Sequence, residues 1–289
     1  YLISFGSRTL VADLLMRALD RVDDLWTGLA LGEAALGFYS RAYTFAIYPR
    51  FILARPINMV AGGTYAELKG DRIRLSKAFF RTNAFLVRTG FLLGGLLALV
   101  APEFIRLALG EKWLPMLTAF RLMLVYTLFD PIKITVADVL TASGAPGKVI
   151  RARAIQLAVL VAGLLSLGTW FGIAGVAIAV DAMLVVGIAI LLWQVRAYVD
   201  YSIRGLFLIP GLALIVGVVL ASLAIAHPAL QASDWITGAV KIVVFSCSYL
   251  GIVLVLERRE IPRYLRLLRQ LLPGHRHDTP RLGGFGEGG

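Results

Sequence analysis

The chain has 289 residues, 58% of them hydrophobic and only 16% charged, and carries a formal charge of +11 with a mean hydropathy of +0.79. Soluble domains are nearer a quarter charged and far less apolar, which leaves a membrane protein. The basic balance does not read as a nucleic-acid surface, because the bases fall where short membrane loops belong and no helix-turn-helix, RRM or zinc motif is visible. Cys247 is the only cysteine, so no disulfide framework or cysteine metal site can form. No cofactor is expected.

An apolar run of about 20 residues crosses a bilayer core, and turn chemistry divides this chain into eight such runs. The predicted membrane helices are 2–28, 36–62, 78–101, 115–142, 149–169, 172–195, 206–226 and 236–256. The fold class is therefore all-α, a polytopic helix bundle. The chain opens on Tyr1 without a basic leader or a small-residue cleavage site, which reads as a piece of a longer protein rather than a signal peptide. Gly168 and Gly172, on either side of Trp170, predict a tight hairpin between the fifth and sixth helices. After Leu256, "ERREIPRYLRLLRQLLP" reads as a short basic amphipathic helix at a lipid surface or in the cytosol, followed by a disordered end.

Loop charge sets the expected orientation. Lys69, Arg72, Arg74, Lys77, Arg81, Lys148, Arg151, Arg153, Arg196, Arg204 and the arginines of the C-terminal tail fall on one side. The opposite loops hold Arg21, Arg106 and Lys112. The positive-inside rule makes the first side cytoplasmic, with both chain ends. Trp26, Trp113, Trp170 and Trp235 then lie at the outer interface, which indole rings favour.

Several charges fall at membrane depth, where each costs about 2.5 kcal/mol or more unless partnered or hydrated. Arg50 lies near the middle of the second helix, and Asp13, Arg17, Arg88, Asp130, Lys133 and Asp181 are similarly deep. On the second helix Arg41, Tyr48 and Arg55 recur every seven residues, with Tyr39, Tyr43 and Arg50 beside them; Asp13, Arg17, Asp20 and Asp24 form a stripe on the first. Pairing can explain some of these: Asp24 with Arg41, Asp13 or Asp20 with Arg50, and Asp130 with Lys133. Asp181 can partner a cation such as Arg88 or carry a coupling ion. Pro49 and Pro56 each remove a backbone hydrogen bond and predict a bent or locally unwound arginine helix, the kind of break transporters place at substrate sites. Guanidinium groups match phosphate oxygens through a planar fork, and interleaved tyrosines suit sugars. The pattern predicts a cavity that holds an anionic head group inside the membrane.

The stretch "DDLWTGLALGEAALGFYSRAYTFAIYP" resembles the D-x4-G-x3-G-x4-G-x-Y-x2-A signature of the polysaccharide transporter (Wzx-like oligosaccharide flippase) family, with Asp23, Gly28, Gly32, Gly37, Tyr39 and Ala42 at its positions. "AELKGDRIRLSKAF", "LGEKWLP", "LTASGAPGKV" and "FGIAGVAIA" resemble later loops and hairpins of that family, over residues 3–195; Gly62-Gly63 stands where the family commonly has proline. The resemblance implies the multidrug/oligosaccharidyl-lipid/polysaccharide (MOP) flippase fold, two six-helix lobes around a cavity, often with two extra helices. This chain would be the second lobe (1–200), two additional helices (201–257) and a basic cytoplasmic tail (258–289), with the N-terminal lobe missing.

The implied function is alternating-access transfer of polyprenyl-diphosphate-linked oligosaccharides across the bacterial cytoplasmic membrane for surface polysaccharide, without covalent chemistry. The implied partners are lipid-linked oligosaccharide, membrane lipids, the missing lobe and polysaccharide polymerase or export machinery, with no nucleic acid. Arg17, Arg50, Arg55 and Arg88 are the expected diphosphate contacts, Tyr39, Tyr43 and Tyr48 the sugar or phosphate contacts, and Asp13 and Asp181 the candidate coupling-ion carboxylates. The alternatives are an ion-coupled multidrug exporter of the same superfamily, which the acid-free arginine helix disfavours, and a membrane glycosyltransferase or polymerase, for which the outer loops are too short and no nucleophile–base constellation is visible.

Overall fold

The computed structural model describes Leu10 and residues 14–226 and 233–258, all in helices and their connecting turns. The predicted tail helix and Asp13 lie outside the described residues. A short helical stretch at 14–19 turns at Asp20-Arg21 into α1 (Val22–Leu31), so the first predicted helix is broken rather than straight. Gly32, at φ 88°, occupies the left-handed region that side chains with a Cβ disfavour. It starts α2 (Glu33–Pro49) at once, three residues earlier than read from the sequence. A π-helical turn, Arg50–Ala54, connects α2 to α3 (Arg55–Leu68).

The remaining elements are α4 (Arg72–Phe104), α5 (Leu117–Ala142), α6 (Pro146–Gly163), α7 (Thr169–Val195), α8 (Ile203–Ala224) and α9 (Asp234–Leu256). π turns also end α4 and α6. The hairpin expected around Trp170 is made at Gly172, where φ is 57°. Among the described residues, four helical stretches are long and apolar enough to cross a membrane: Arg72–Leu109, Pro146–Val195, Ile203–Ala224 and Asp234–Leu256. The second of these contains α6 and α7, folded back at Gly172. With these spans the chain is a multi-pass membrane protein.

Helix α5 forms the centre. Phe120, Met123, Ile132, Val136, Val139 and Leu140 are buried along its length, and α2, α3, α4, α6 and α7 all pack on it. Close approach is bought by small residues. A Cβ on Gly187 of α7 would collide with the Gln156 side chain of α6, and one on Gly94 of α4 with Leu128 of α5.

The two ends of the bundle are chemically distinct. At one end Trp26 packs on Gly168, Trp113 meets Phe38 edge-on with Arg41 over its indole ring, and Arg106 pairs with Asp234 at 3.0 Å. At the other, Arg72 donates to Asp200 from Nε (3.1 Å) and Nη2 (2.7 Å), and the Asp200 backbone N–H donates to Ser76 Oγ. The Arg72 hydrogen bonds hold the Asp200 carboxyl below its usual range.

Helices α8 and α9 pack on each other and on α4. Phe245 of α9 fills the space beside Gly95. Lys241 Nζ donates to Glu103 Oε1 (2.7 Å) and to the Leu99 carbonyl (3.0 Å), and Glu257 pairs with Arg88. The Tyr249 hydroxyl donates to the Arg88 carbonyl at 2.8 Å. Charges with so little exposure require partners, and these partners fix the register of α9 on α4.

Candidate functional site

The π turn decides the geometry of the arginine helix. Pro56 has no N–H, so an α-helix through this point would lose a hydrogen bond. In the observed turn the Arg55 N–H bonds to the Arg50 carbonyl, five residues back, and the ladder resumes beyond the proline. On a straight α-helix Arg50 and Arg55 would diverge by about 140°, since each residue advances about 100°. The wider π turn, closed i→i+5, rotates Arg55 back toward the side that carries Arg50. The sequence spacing predicted a bend or an unwound segment; the structure makes a continuous helix with a widened turn.

That side borders a cavity of about 1330 Å³, lined by α1 and the stretch before it, the α2–π–α3 segment, and α5. Arg17, Arg50, Arg55, Tyr43 and Tyr48 line it, with Asp20, Asp24 and Asp138. Five of the residues singled out from sequence thus converge. Arg50 is the most constrained. Its Nε lies 3.1 Å from Asp130 Oδ2, and its Nη1 donates to the Tyr126 hydroxyl at 3.4 Å. Asp130 is fully buried and also pairs with Lys133 Nζ at 2.8 Å, as the spacing of the two suggested. Lys133 in turn lies over the Tyr126 ring, 5.4 Å from its centroid, and Tyr43 meets that ring edge-on.

One carboxylate therefore serves two cations, and the cluster keeps one net positive charge. Arg50 remains 18% exposed, and its fork is only half used by Asp130 and Tyr126. Its remaining N–H groups can meet an anion in the cavity. Arg17 and Arg55 are exposed on the same cavity.

Two expected contacts lie elsewhere. Tyr39 is fully buried and donates to Asp23 Oδ2 at 2.5 Å, tying α2 to α1 behind the cavity wall. Arg88 faces α9, where it is held by Glu257 and by the Ala84 carbonyl; it is not among the cavity residues. Its long side chain points back along α4, as helical side chains do, and reaches an acid read from sequence as the edge of the tail. Of the expected ion pairs, Arg50 takes Asp130 rather than Asp20, its other expected partner Asp13 lying outside the described residues, and Arg41 takes the Trp113 ring while Asp24 accepts from Ser40 at 3.1 Å. Asp181 is partly buried on α7, with Oδ1 lacking a hydrogen-bond partner, and it is not among the cavity residues.

The sequence reading missed Tyr126, whose role depends on α5 packing against α2, and Asn58, a buried cavity residue of α3 with neither amide atom bonded. An asparagine three residues after Arg55 in an apolar run was the available signal.

Comparison with known proteins adds a partial family match and a fold. Residues 1–118 match the family model described as "Polysaccharide biosynthesis protein". The chain is 31% identical over 112 residues to the teichuronic acid biosynthesis protein TuaB of Bacillus subtilis (strain 168), across 38% of this chain and 23% of that protein. Among solved structures it resembles the lipid II flippase MurJ in an inward closed conformation, with a TM-score of 0.72 at 15% identity over 84% of this chain and 52% of that one. An outward-facing multidrug resistance MATE transporter of the MOP superfamily gives 0.59 at 15% identity, over 87% of this chain and 64% of that one. A MOP superfamily transporter from Pyrococcus furiosus gives 0.56 at 16% identity with the same coverage. The chain spans about a quarter of TuaB and between half and two thirds of these transporters.

Proposed function

From a chain that has the MOP-superfamily transporter fold and whose first 118 residues match a polysaccharide-biosynthesis family, as its signature residues led one to expect, we propose that it forms one lobe of a flippase for polyprenyl-diphosphate-linked oligosaccharides. The observation that carries this reading is the π turn, which turns both Arg50 and Arg55 to one cavity wall. Arg50, Arg55 and Arg17 hold the diphosphate, Tyr43 and Tyr48 offer ring faces and hydroxyls to the sugars, and the polyprenyl chain stays in lipid. A second six-helix lobe closes the other side of the cavity. The lobe comprises residues 1–200, helices α8 and α9 are additions carried on α4, and the basic end of the bundle faces the cytoplasm. Asp181, with its unbonded buried oxygen, is the coupling-ion candidate on α7; Asp13 is the second.

The test uses the complete gene product that contains this sequence. Arg50→Ala or Arg55→Ala should abolish surface polysaccharide while the protein stays inserted at normal levels, and lysine should rescue only in part because an ammonium lacks the fork. Normal polysaccharide in both alanine variants would end this reading.

Asp20, Asp24 and Asp138 on the same cavity favour a second reading, export of organic cations by an ion-coupled mechanism. Efflux of ethidium that is lost in Asp20→Asn and Asp138→Asn, with polysaccharide unaffected, would select it.

A further inference from the structure

Asn58 is an anomaly on the cavity wall. It stands on α3 three residues beyond Arg55, about 4.5 Å along the axis, and is only 6% exposed. Neither its amide nitrogen nor its amide oxygen has a hydrogen-bond partner. Buried amides in native proteins are bonded, and one left open on both sides is destabilising unless something completes it. Gly62, Gly63 and Asp138 line the cavity with it, as do Met59 and Ile134. A Cβ on Gly62 would approach only Asp138 Oδ2, at 3.8 Å, and one on Gly63 would meet nothing within 4 Å. The wall beside Asn58 therefore includes two positions without side chains, with a carboxylate at their edge.

This chemistry differs from that of the arginine cluster. An amide donates and accepts at once, which suits adjacent hydroxyls, or the acetamido group, of a pyranose. A carboxylate accepts from a further hydroxyl, and the two glycines leave room for a ring to lie flat. A second phosphate would be repelled by Asp138, a lipid tail would leave Asn58 unbonded, and an organic cation would not meet the amide donor. We propose that Asn58, with Asp138 and the Gly62-Gly63 wall, is a saccharide subsite that begins one turn beyond the diphosphate site on the same helix segment. This rests on the flippase reading above and assigns its sugar contacts.

The complete protein in nanodiscs is titrated with two probes, undecaprenyl diphosphate and undecaprenyl diphosphate bearing one N-acetylglucosamine. One net hydrogen bond is worth about tenfold in affinity, so wild type should prefer the sugar-bearing probe by at least about that factor. Asn58→Leu should abolish the preference while leaving the Kd of the bare probe within about twofold. Asn58→Ser, which keeps a small polar group and guards against a folding defect, should retain part of the preference. An unchanged preference in both variants, or equal binding of the two probes by wild type, overturns the subsite and leaves the amide to water. Failure of the bare probe to bind wild type would instead strike the diphosphate site. Binding of the sugar-bearing probe that Asn58→Leu removes would uphold the subsite even then.

Discussion

Asp130 sits between two cations with no exposure of its own, which makes Asp130→Asn a severe test of the arginine cluster. The carboxylate lies 3.1 Å from Arg50 Nε and 2.8 Å from Lys133 Nζ. The substitution keeps shape and polarity but leaves both cations in a poorly hydrated site without an anion. Breaking a buried pair by removing one partner costs about 3–5 kcal/mol. Here Lys133, 6% exposed, bears most of it, because Arg50 can still turn toward the cavity. Removing the lysine as well restores the wild-type net charge of one, so Asp130→Asn with Lys133→Met should recover more than half of the loss. Neighbours that share a network are expected to be non-additive in this way. The assay is thermal unfolding of purified protein in one detergent, followed by fluorescence-detected size exclusion, for the two single variants and the double. Asp130→Asn within about 1 kcal/mol of wild type, well under the cost of breaking such a pair, would refute the reasoning, as would a double variant no more stable than Asp130→Asn alone.

Three further outcomes are expected. Lys133→Met alone leaves a neutral Arg50–Asp130 pair; a unit charge about 8 Å from a bound anion is worth about 2 kcal/mol at an effective dielectric near 20, so affinity for undecaprenyl diphosphate should fall about 30-fold with the fold intact, and an unchanged Kd would show that the cluster does not face the anion. Glu103→Lys or Lys241→Glu should each reduce the amount of folded protein, whereas the exchange of both should restore it if their 2.7 Å contact is what seats α9. Asp200→Asn should speed deuterium uptake in the turn 196–202 at neutral pH. Because Arg72 lowers the Asp200 pKa, the wild-type clamp is complete above about pH 4, the ordinary carboxylate range, and is lost as pH falls through the lower folded value. The two proteins should therefore converge at acid pH; a difference that widens on acidification would contradict this.

Hydropathy and turn residues made the all-α membrane bundle and its element order legible from the sequence alone. The reason is that a bilayer imposes length and polarity on each helix separately. Gly172 could be read as a hairpin because a positive φ is a local property of one residue. Asp130 and Lys133 could be paired because they lie one turn apart on one helix. Other facts required the packed molecule. Whether Arg50 and Arg55 share a face depends on the π turn, and α-helical spacing by itself puts them about 140° apart. Arg88 and Tyr39 were equally good cavity candidates by type and depth. Their partners, Glu257 and Asp23, lie 169 and 16 residues away in the chain, and only the docking of α9 on α4 and of α2 on α1 brings them into reach. Asn58 is the same case in reverse, an unremarkable residue in the sequence that becomes an open amide once α3 is seated against α5. Each residue's character is set by the chain; its partner is set by how the helices pack, because a buried charge or amide takes whichever group tertiary structure places within hydrogen-bonding distance.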